Sequence, residues 1–157
     1  MARWLLQDII TEEEAEQLIA EKSAPTFKHP IVRRIVSAFK RDIDPEIQGD
    51  SPGYVRVEHK PEGHQEHNDR GHRRHRDSGH MEWCEYGASI LLTDPSKFSG
   101  GGFLYTNSPT STLSAKEHYL SAIIHTSDEF HIVKKSTGRR IVLLIFLPTS
   151  AWASRKD

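Results

Sequence analysis

Apolar residues recur with helical spacing in two segments near the start of the chain. In the first, Thr11 and Glu14 form the pair of a capping box, in which each side chain satisfies a backbone N–H at the start of a helix. The apolar residues that follow share one helical face, and they are Ala15, Leu18 and Ile19. This pattern predicts a helix over about residues 12–22, preceded by a short strand.

The second segment begins at Pro30, which suits the first position of a helix because its missing N–H is not needed there. Apolar residues then continue at helical spacing, and they are Ile31, Ile35, Val36 and Phe39. The spacing predicts a second helix over about residues 30–41.

From residue 54 onward the pattern changes to short runs of β-forming residues. Residues 54–58 alternate between apolar and polar side chains, as a strand with one buried face does. Four further strands are predicted over residues 86–92, 103–105, 119–124 and 141–147. The Ser/Thr-rich residues 106–117 are predicted to be a loop. Helices followed by strands predict an α+β, mainly β fold, whose β-core over about residues 54–148 forms a sandwich or open barrel.

Composition and charge limit the classes of partner. With 157 residues the chain has the size of one domain, and we expect residues 1–157 to be a single domain. The net charge of −1 provides no global basic field, so no nucleic-acid partner is expected. The chain has one cysteine and no apolar run of membrane-spanning length, so we expect a cytoplasmic protein without a membrane partner. None of these properties indicates an oligomeric state.

Histidine is concentrated in one segment, because six of the ten histidines lie between residues 59 and 80. Within this segment the pattern Gly-His-x-x-His-x-Asp occurs twice, so His67 with Asp69 and His75 with Asp77 form two equivalent pairs. Side chains alternate along an extended chain, so the imidazole and the carboxylate of each pair point to one side and can bind one metal ion.

A histidine from a distant strand would complete such a site, and His131 is the candidate. Two imidazoles and one carboxylate leave adjacent positions open on a non-haem iron(II) ion. Arg140 enters the last apolar run, where a buried guanidinium needs a carboxylate partner such as the far end of a dicarboxylic acid. Arg139 is the adjacent alternative, but it is expected on the opposite face of the strand.

Together these elements resemble the prolyl 4-hydroxylase-like branch of the Fe(II)/2-oxoglutarate-dependent oxygenases. Besides the His-x-Asp motif, the resemblance is carried by residues 88–101, residues 127–133 and the sequence Gly138-Arg139-Arg140. It extends over most of the chain, because the helix that begins at Thr11 also resembles the start of that family. The implied fold is a double-stranded β-helix, also called a jelly roll or cupin-like fold, with N-terminal helices.

The resemblance also implies the chemistry of the site. Iron(II) is bound by His131 together with one His-x-Asp pair, and Arg140 binds the C5 carboxylate of 2-oxoglutarate. His67 and Asp69 are preferred as this pair because His67 follows the strand 54–58 after a tight turn, and His75 with Asp77 is the alternative.

The implied reaction consumes dioxygen and 2-oxoglutarate, with ascorbate as an optional reductant. It hydroxylates a C–H bond and releases succinate and carbon dioxide. The aspartate favours hydroxylation over halogenation, because a halogenase has a small residue there. The substrate is a residue of a peptide or protein, or a small molecule. Since the chain is short for the family, an open site is expected, which favours a peptide or protein.

Two other hypotheses explain part of the pattern. A cupin-type metalloenzyme that does not use 2-oxoglutarate would need the histidines and the aspartate but not Arg140. A non-catalytic, His-rich metal-binding or sensing module would bind several metal ions through residues 59–80, without a role for His131.

Overall fold

A computed structural model describes residues 2–72, 81–108 and 111–151 of the chain. Two α-helices are present in this part, α1 (Glu12–Ala20) and α2 (Pro30–Asp42), and a short 3-10 helix spans Pro95–Lys97. The strands are β1 (Arg3–Leu6), β2 (Tyr54–Glu58), β3 (His64–His67), β4 (Tyr86–Leu91), β5 (Phe98–Gly100), β6 (Phe103–Ser108), β7 (Ser111–Ala115), β8 (Ala122–Thr126), β9 (His131–Val133), β10 (Ser136–Gly138) and β11 (Val142–Leu147).

Both predicted helices are confirmed, and side chains cap their first turns. The capping box of α1 is formed as expected: the Thr11 side chain accepts from the Glu14 N–H, and the Glu14 carboxylate accepts from the Thr11 N–H. At the start of α2, Nδ1 of His29 accepts from the Ile31 N–H, and Pro30 occupies the first helical position.

The strands form two main antiparallel sheets, and the fold is the predicted mainly β double-stranded β-helix with N-terminal helices. The larger sheet has the order β1-β8-β4-β11-β2, and the smaller one has the order β3-β9-β6-β7. A two-stranded sheet of β10 and β5 completes the set. In the larger sheet the neighbours of β4 and β11 come from distant parts of the chain, so long-range pairing defines the architecture.

The larger sheet has an apolar side that packs against the helices. Helix α2 places Ile31, Val32, Ile35, Val36 and Phe39 in this core. The sheet contributes alternate residues of its central strands, which include Ala88, Ile90, Leu143 and Ile145. Because side chains alternate, the opposite face of the same strands points toward the smaller sheet, where the candidate site lies.

Two of the predictions for the strands are wrong. Residues 106–117 are not a loop, because β6 continues to Ser108 and β7 pairs with it at the edge of the smaller sheet. Serine and threonine tolerate an edge strand, where backbone pairing rather than apolar burial stabilises the structure. The strand predicted at 119–124 begins later, because Leu120 has a positive φ of 65° and the chain turns there before β8.

None of the helices in the described part of the chain is long and apolar enough to cross a membrane.

Phe39 is fully buried in the core between α2 and the larger sheet. We therefore expect Phe39→Ala to lower the free energy of unfolding by about 3–5 kcal/mol, because it removes apolar contacts and leaves a cavity. The neighbouring Lys40 is exposed, so Lys40→Ala is a matched control that should change stability by less than about 0.5 kcal/mol. Chemical denaturation of both variants measures the difference, and equal midpoints would contradict this packing.

Candidate metal centre

Three of the predicted ligands are brought together between the two sheets. His67, Asp69 and His131 each direct one ligand atom into a common space, and these atoms all lie within 4.8 Å of one another. His67 ends β3, Asp69 follows two residues later, and His131 begins β9. The alternative pair, His75 and Asp77, lies outside the described residues.

Strand pairing explains why the two histidines meet. Strands β3 and β9 are antiparallel, and His67 is the register partner of His131. Directly opposed residues of an antiparallel pair point to the same face of the sheet. On the other side of β9, Tyr105 of β6 is also in register with His131, and the two rings are in edge contact.

The hydrogen bonds of both rings define which nitrogen faces the site. Nδ1 of His67 lies 2.7 Å from the carbonyl oxygen of Gln65, and Nδ1 of His131 lies 2.9 Å from that of Glu129. A carbonyl only accepts hydrogen bonds, so Nδ1 carries the hydrogen in each ring. Nε2 therefore holds the lone pair that a metal ion requires, as is usual for metal-binding histidines.

Burial sets the charge state of the donors. It lowers the pKa of His131 to about 3, with a contribution from the neighbouring His125, so the ring is neutral at pH 7 and has no proton to lose before binding a cation. Burial alone raises the pKa of Asp69, but the imidazoles of His125, His131 and His67 outweigh it and hold this pKa below its usual value. The site thus combines a neutral His131 imidazole with the Asp69 carboxylate.

The loop that carries Asp69 is held in place by its neighbours. The side-chain oxygen of Asn68 accepts from the backbone N–H groups of Arg70 and His72, each at 3.0 Å. Nε of Arg70 also donates to the carbonyl of Cys84 at 3.2 Å. These bonds hold the residues on both sides of Asp69, so its carboxylate has a defined direction.

A glycine makes room for the carboxylate. A Cβ atom added at Gly87 of β4 would lie 1.7 Å from Oδ2 of Asp69, which is far inside van der Waals contact. Only glycine permits this approach of a side chain to the strand backbone. The Asp69 carboxylate therefore packs directly against the larger sheet, although Asp69 follows β3, which belongs to the smaller one.

Arg140 is buried, but its charge is already balanced by the chain itself. Nε and Nη2 of Arg140 both donate to the Glu117 carboxylate, with the two Nε distances at 2.9 and 3.1 Å. Glu117 also accepts from the Gly102 N–H at 2.9 Å. A buried guanidinium needs a carboxylate partner, and Glu117 of the chain itself provides this carboxylate. Arg139 is exposed, as expected for the opposite face.

Arg140 nevertheless reaches the cavity of the candidate metal centre. It lines the same cavity between the sheets as His67, Asp69 and His131. Glu117 instead borders a separate cavity with Gly102 and Lys134. An arginine has five N–H donors, and Glu117 uses only those of Nε and Nη2, so Nη1 remains for a second carboxylate.

A second cavity of about 210 Å³ adjoins the site. Both cavities are lined by Arg56, His64 and Asp69, and the second also reaches Tyr54 and Met81. Nε2 of His64 lies 3.1 Å from the Glu58 carboxylate, and Arg56 pairs with the same carboxylate at 3.1 Å. The groove beside the candidate metal centre therefore carries both aromatic and charged side chains.

The sequence did not single out Gly87, Glu117 or His125 for a role at the site. A detectable signal exists only for Gly87, since an isolated glycine within an apolar strand indicates close approach of another group. Glu117 lies in the segment predicted to be a loop.

No protein-family model matches the chain, and no curated protein sequence matches it. Solved structures do resemble it. A prolyl-4-hydroxylase from Pseudomonas putida aligns with a TM-score of 0.65 at 11% identity, covering 94% of this chain and 85% of its own. A prolyl hydroxylase from Trichoplax adhaerens, in complex with a hypoxia inducible factor peptide fragment, aligns with a TM-score of 0.68 at 10% identity, covering 99% and 87%.

HygX from Streptomyces hygroscopicus, with nickel and 2-oxoglutarate bound, aligns with a TM-score of 0.59 at 11% identity, covering 94% of this chain and 82% of its own. The chain therefore has the double-stranded β-helix fold found in prolyl hydroxylases and 2-oxoglutarate–Fe(II) oxygenases. This confirms the resemblance at the level of the fold.

We expect Gly87→Ala to weaken metal binding at least 10-fold, because the new methyl group displaces the Asp69 carboxylate. Gly49→Ala is a matched control, since a Cβ there meets only side-chain carbons of Val36 and Phe27. Titration of both variants with Co(II) measures the effect. Unchanged affinity in Gly87→Ala would show that the carboxylate does not need this position.

Proposed function

We propose that the protein is an Fe(II)- and 2-oxoglutarate-dependent dioxygenase that hydroxylates a C–H bond. The observation that carries this proposal is the group of two imidazoles and one carboxylate, with ligand atoms within 4.8 Å, inside a fold shared with such oxygenases. This donor set fits iron(II), because it binds one face of the ion and leaves the opposite positions for a cosubstrate and dioxygen.

In this proposal His67, Asp69 and His131 hold the iron. The hydrogen bonds from the two histidine rings to backbone carbonyls keep both Nε2 atoms directed at it. The bound iron supplies the redox chemistry that couples decarboxylation of 2-oxoglutarate to substrate hydroxylation. One molecule each of substrate, dioxygen and 2-oxoglutarate gives hydroxylated substrate, succinate and carbon dioxide. The protein orients the reactants and, with apolar groups such as Phe103 and Val133, limits water at the site.

Arg140 is assigned to the distal carboxylate of 2-oxoglutarate. Support comes from its place on the wall of the metal-site cavity and from its burial, which strengthens a charge-assisted hydrogen bond. Glu117 holds the guanidinium through Nε and Nη2, which leaves Nη1 for the cosubstrate.

We further propose a peptide or protein as the substrate, with a small molecule as the alternative. The groove that passes Tyr54, Arg56 and Met81 continues to Asp69, so an extended chain can approach the iron from this side. The similar prolyl hydroxylase from Trichoplax adhaerens binds a peptide fragment, which supports the same class of substrate here.

One observation favours a second candidate function. Because Glu117 already balances the charge of Arg140, the pair could be purely structural, as in a cupin-type metalloenzyme that does not use 2-oxoglutarate. That enzyme would bind one metal ion through His131 but would not bind 2-oxoglutarate. The non-catalytic His-rich module can be distinguished from both enzymes, because His131→Ala would not change its metal binding.

The first test is succinate formation without added substrate. Anaerobically purified protein is given Fe(II), 2-oxoglutarate, ascorbate and air, and we expect slow conversion of 2-oxoglutarate to succinate. His131→Ala should abolish this activity because it removes a metal ligand. The exposed His118 provides the matched histidine control, and His118→Ala should retain the activity. Absence of succinate, together with absence of 2-oxoglutarate binding to the metal-loaded protein, would refute the proposed function.

The second test concerns Arg140 alone. Arg140→Ala should weaken 2-oxoglutarate binding about 10- to 100-fold, since a hydrogen bond to a charged group contributes about 1.5–3 kcal/mol. It should leave binding of 2-oxopentanoate unchanged, because that analogue lacks the distal carboxylate. The adjacent, exposed Arg139 is the control, and Arg139→Ala should bind both compounds like the parent protein. Equal losses for both compounds in Arg140→Ala would refute the assignment.

A further inference from the structure

A third histidine contacts the candidate metal centre. His125 of β8 is buried, and its Nε2 lies 2.7 Å from Oδ2 of Asp69. The other oxygen of the same carboxylate, Oδ1, lies 3.6 Å from Nε2 of His131. The two oxygens of Asp69 thus face different partners, because Oδ1 lies near His131 and Oδ2 near His125.

The hydrogen bonds of His125 leave it without a nitrogen for the metal. A carboxylate accepts hydrogen bonds, so Nε2 of His125 carries the hydrogen that it donates to Asp69. Nδ1 lies 3.1 Å from the Tyr105 hydroxyl, which donates to it. A chain of hydrogen bonds therefore runs from Tyr105 through His125 to the carboxylate.

The larger sheet fixes this arrangement. His125 of β8 is the register partner of Gly87 of β4, so the two residues lie side by side on the same face. Because Gly87 has no side chain, the Asp69 carboxylate occupies the space beside His125. The donor is thus held on a strand, and the glycine beside it leaves the space that the acceptor carboxylate occupies.

We propose that His125 is a positioning residue that holds Asp69 as a monodentate metal ligand through Oδ1. This inference rests on the proposed metal site and extends it. The hydrogen bond to His125 holds Oδ2 on the side of β8, while Oδ1 lies near Nε2 of His131, so this arrangement favours binding of the ion through Oδ1 alone. A second coordinated oxygen would take one of the positions that the cosubstrate and dioxygen need. His125 therefore acts through Asp69 and does not itself bind the ion.

The test uses Co(II) binding to the whole chain, which needs neither substrate nor turnover. His125→Phe keeps a ring of similar size but removes the donor, and we expect the Co(II) dissociation constant to rise about 10- to 100-fold. The visible Co(II) spectrum should also change, because the released carboxylate alters the coordination number. His125→Gln retains an N–H near the position of Nε2, so it should restore most of the affinity and the parent spectrum.

Three controls separate the explanations. His118→Gln, which removes an exposed histidine, should bind Co(II) like the parent protein. Tyr105→Phe should weaken binding less than His125→Phe, because it removes only the outer hydrogen bond of the chain. X-ray absorption of the Co(II) protein should count two imidazoles both in the parent and in His125→Phe.

The outcomes are distinct. Equal Co(II) affinity and spectra for the parent protein and His125→Phe would overturn the positioning role while leaving the metal site intact. Three imidazoles in the parent and two in His125→Phe would make His125 a ligand and also overturn it. If the parent protein binds no Co(II) that depends on His131, the proposed function itself fails, and this inference fails with it.

Discussion

The carboxylate of Asp69 is the group on which the candidate site depends. It is buried between two sheets, where an isolated charge would be very costly, so it must be surrounded by hydrogen-bond donors or a cation. His125 donates to one oxygen, and Nε2 of His131 lies 3.6 Å from the other. Gly87 supplies the space for the group. Each of these contacts comes from a different strand, so the site exists only when both sheets are formed.

The two faces of the larger sheet differ in chemistry: one is apolar and packs in the core, and the other borders the candidate site. One face packs α2 against apolar side chains such as Ile90 and Leu143, and this packing supplies the rigidity of the framework. The other face presents Gly87 and His125 to the interior between the sheets. Because alternation along a strand separates the two faces, polar groups can be placed at the site without disturbing the apolar core. Strands β3 and β9 of the smaller sheet place His67 and His131 on the other side of this interior.

The positive charge of the buried arginine near the site is already balanced within the chain. Arg140 is paired with Glu117 in a buried, multiply hydrogen-bonded contact, so the guanidinium is held in one orientation before any ligand arrives. Such pre-orientation reduces the conformational entropy that a ligand must offset on binding. The same pair also reduces the net positive charge available to a dicarboxylate. The pair therefore weakens the electrostatic attraction for a dicarboxylate but holds the guanidinium in a defined geometry.

Local sequence was enough to predict both helices, the strands at 54–58 and 141–147, and the spacing that puts His67 and Asp69 on one side of an extended chain. These features depend on residues a few positions apart. Resemblance to a known family extended the prediction to the fold and to His131. Strand β7, the Glu117–Arg140 pair and the contacts of His125 depended on tertiary structure. They arise from pairing between segments far apart in the chain, and no local pattern encodes which strands become neighbours or which face of a histidine meets a carboxylate.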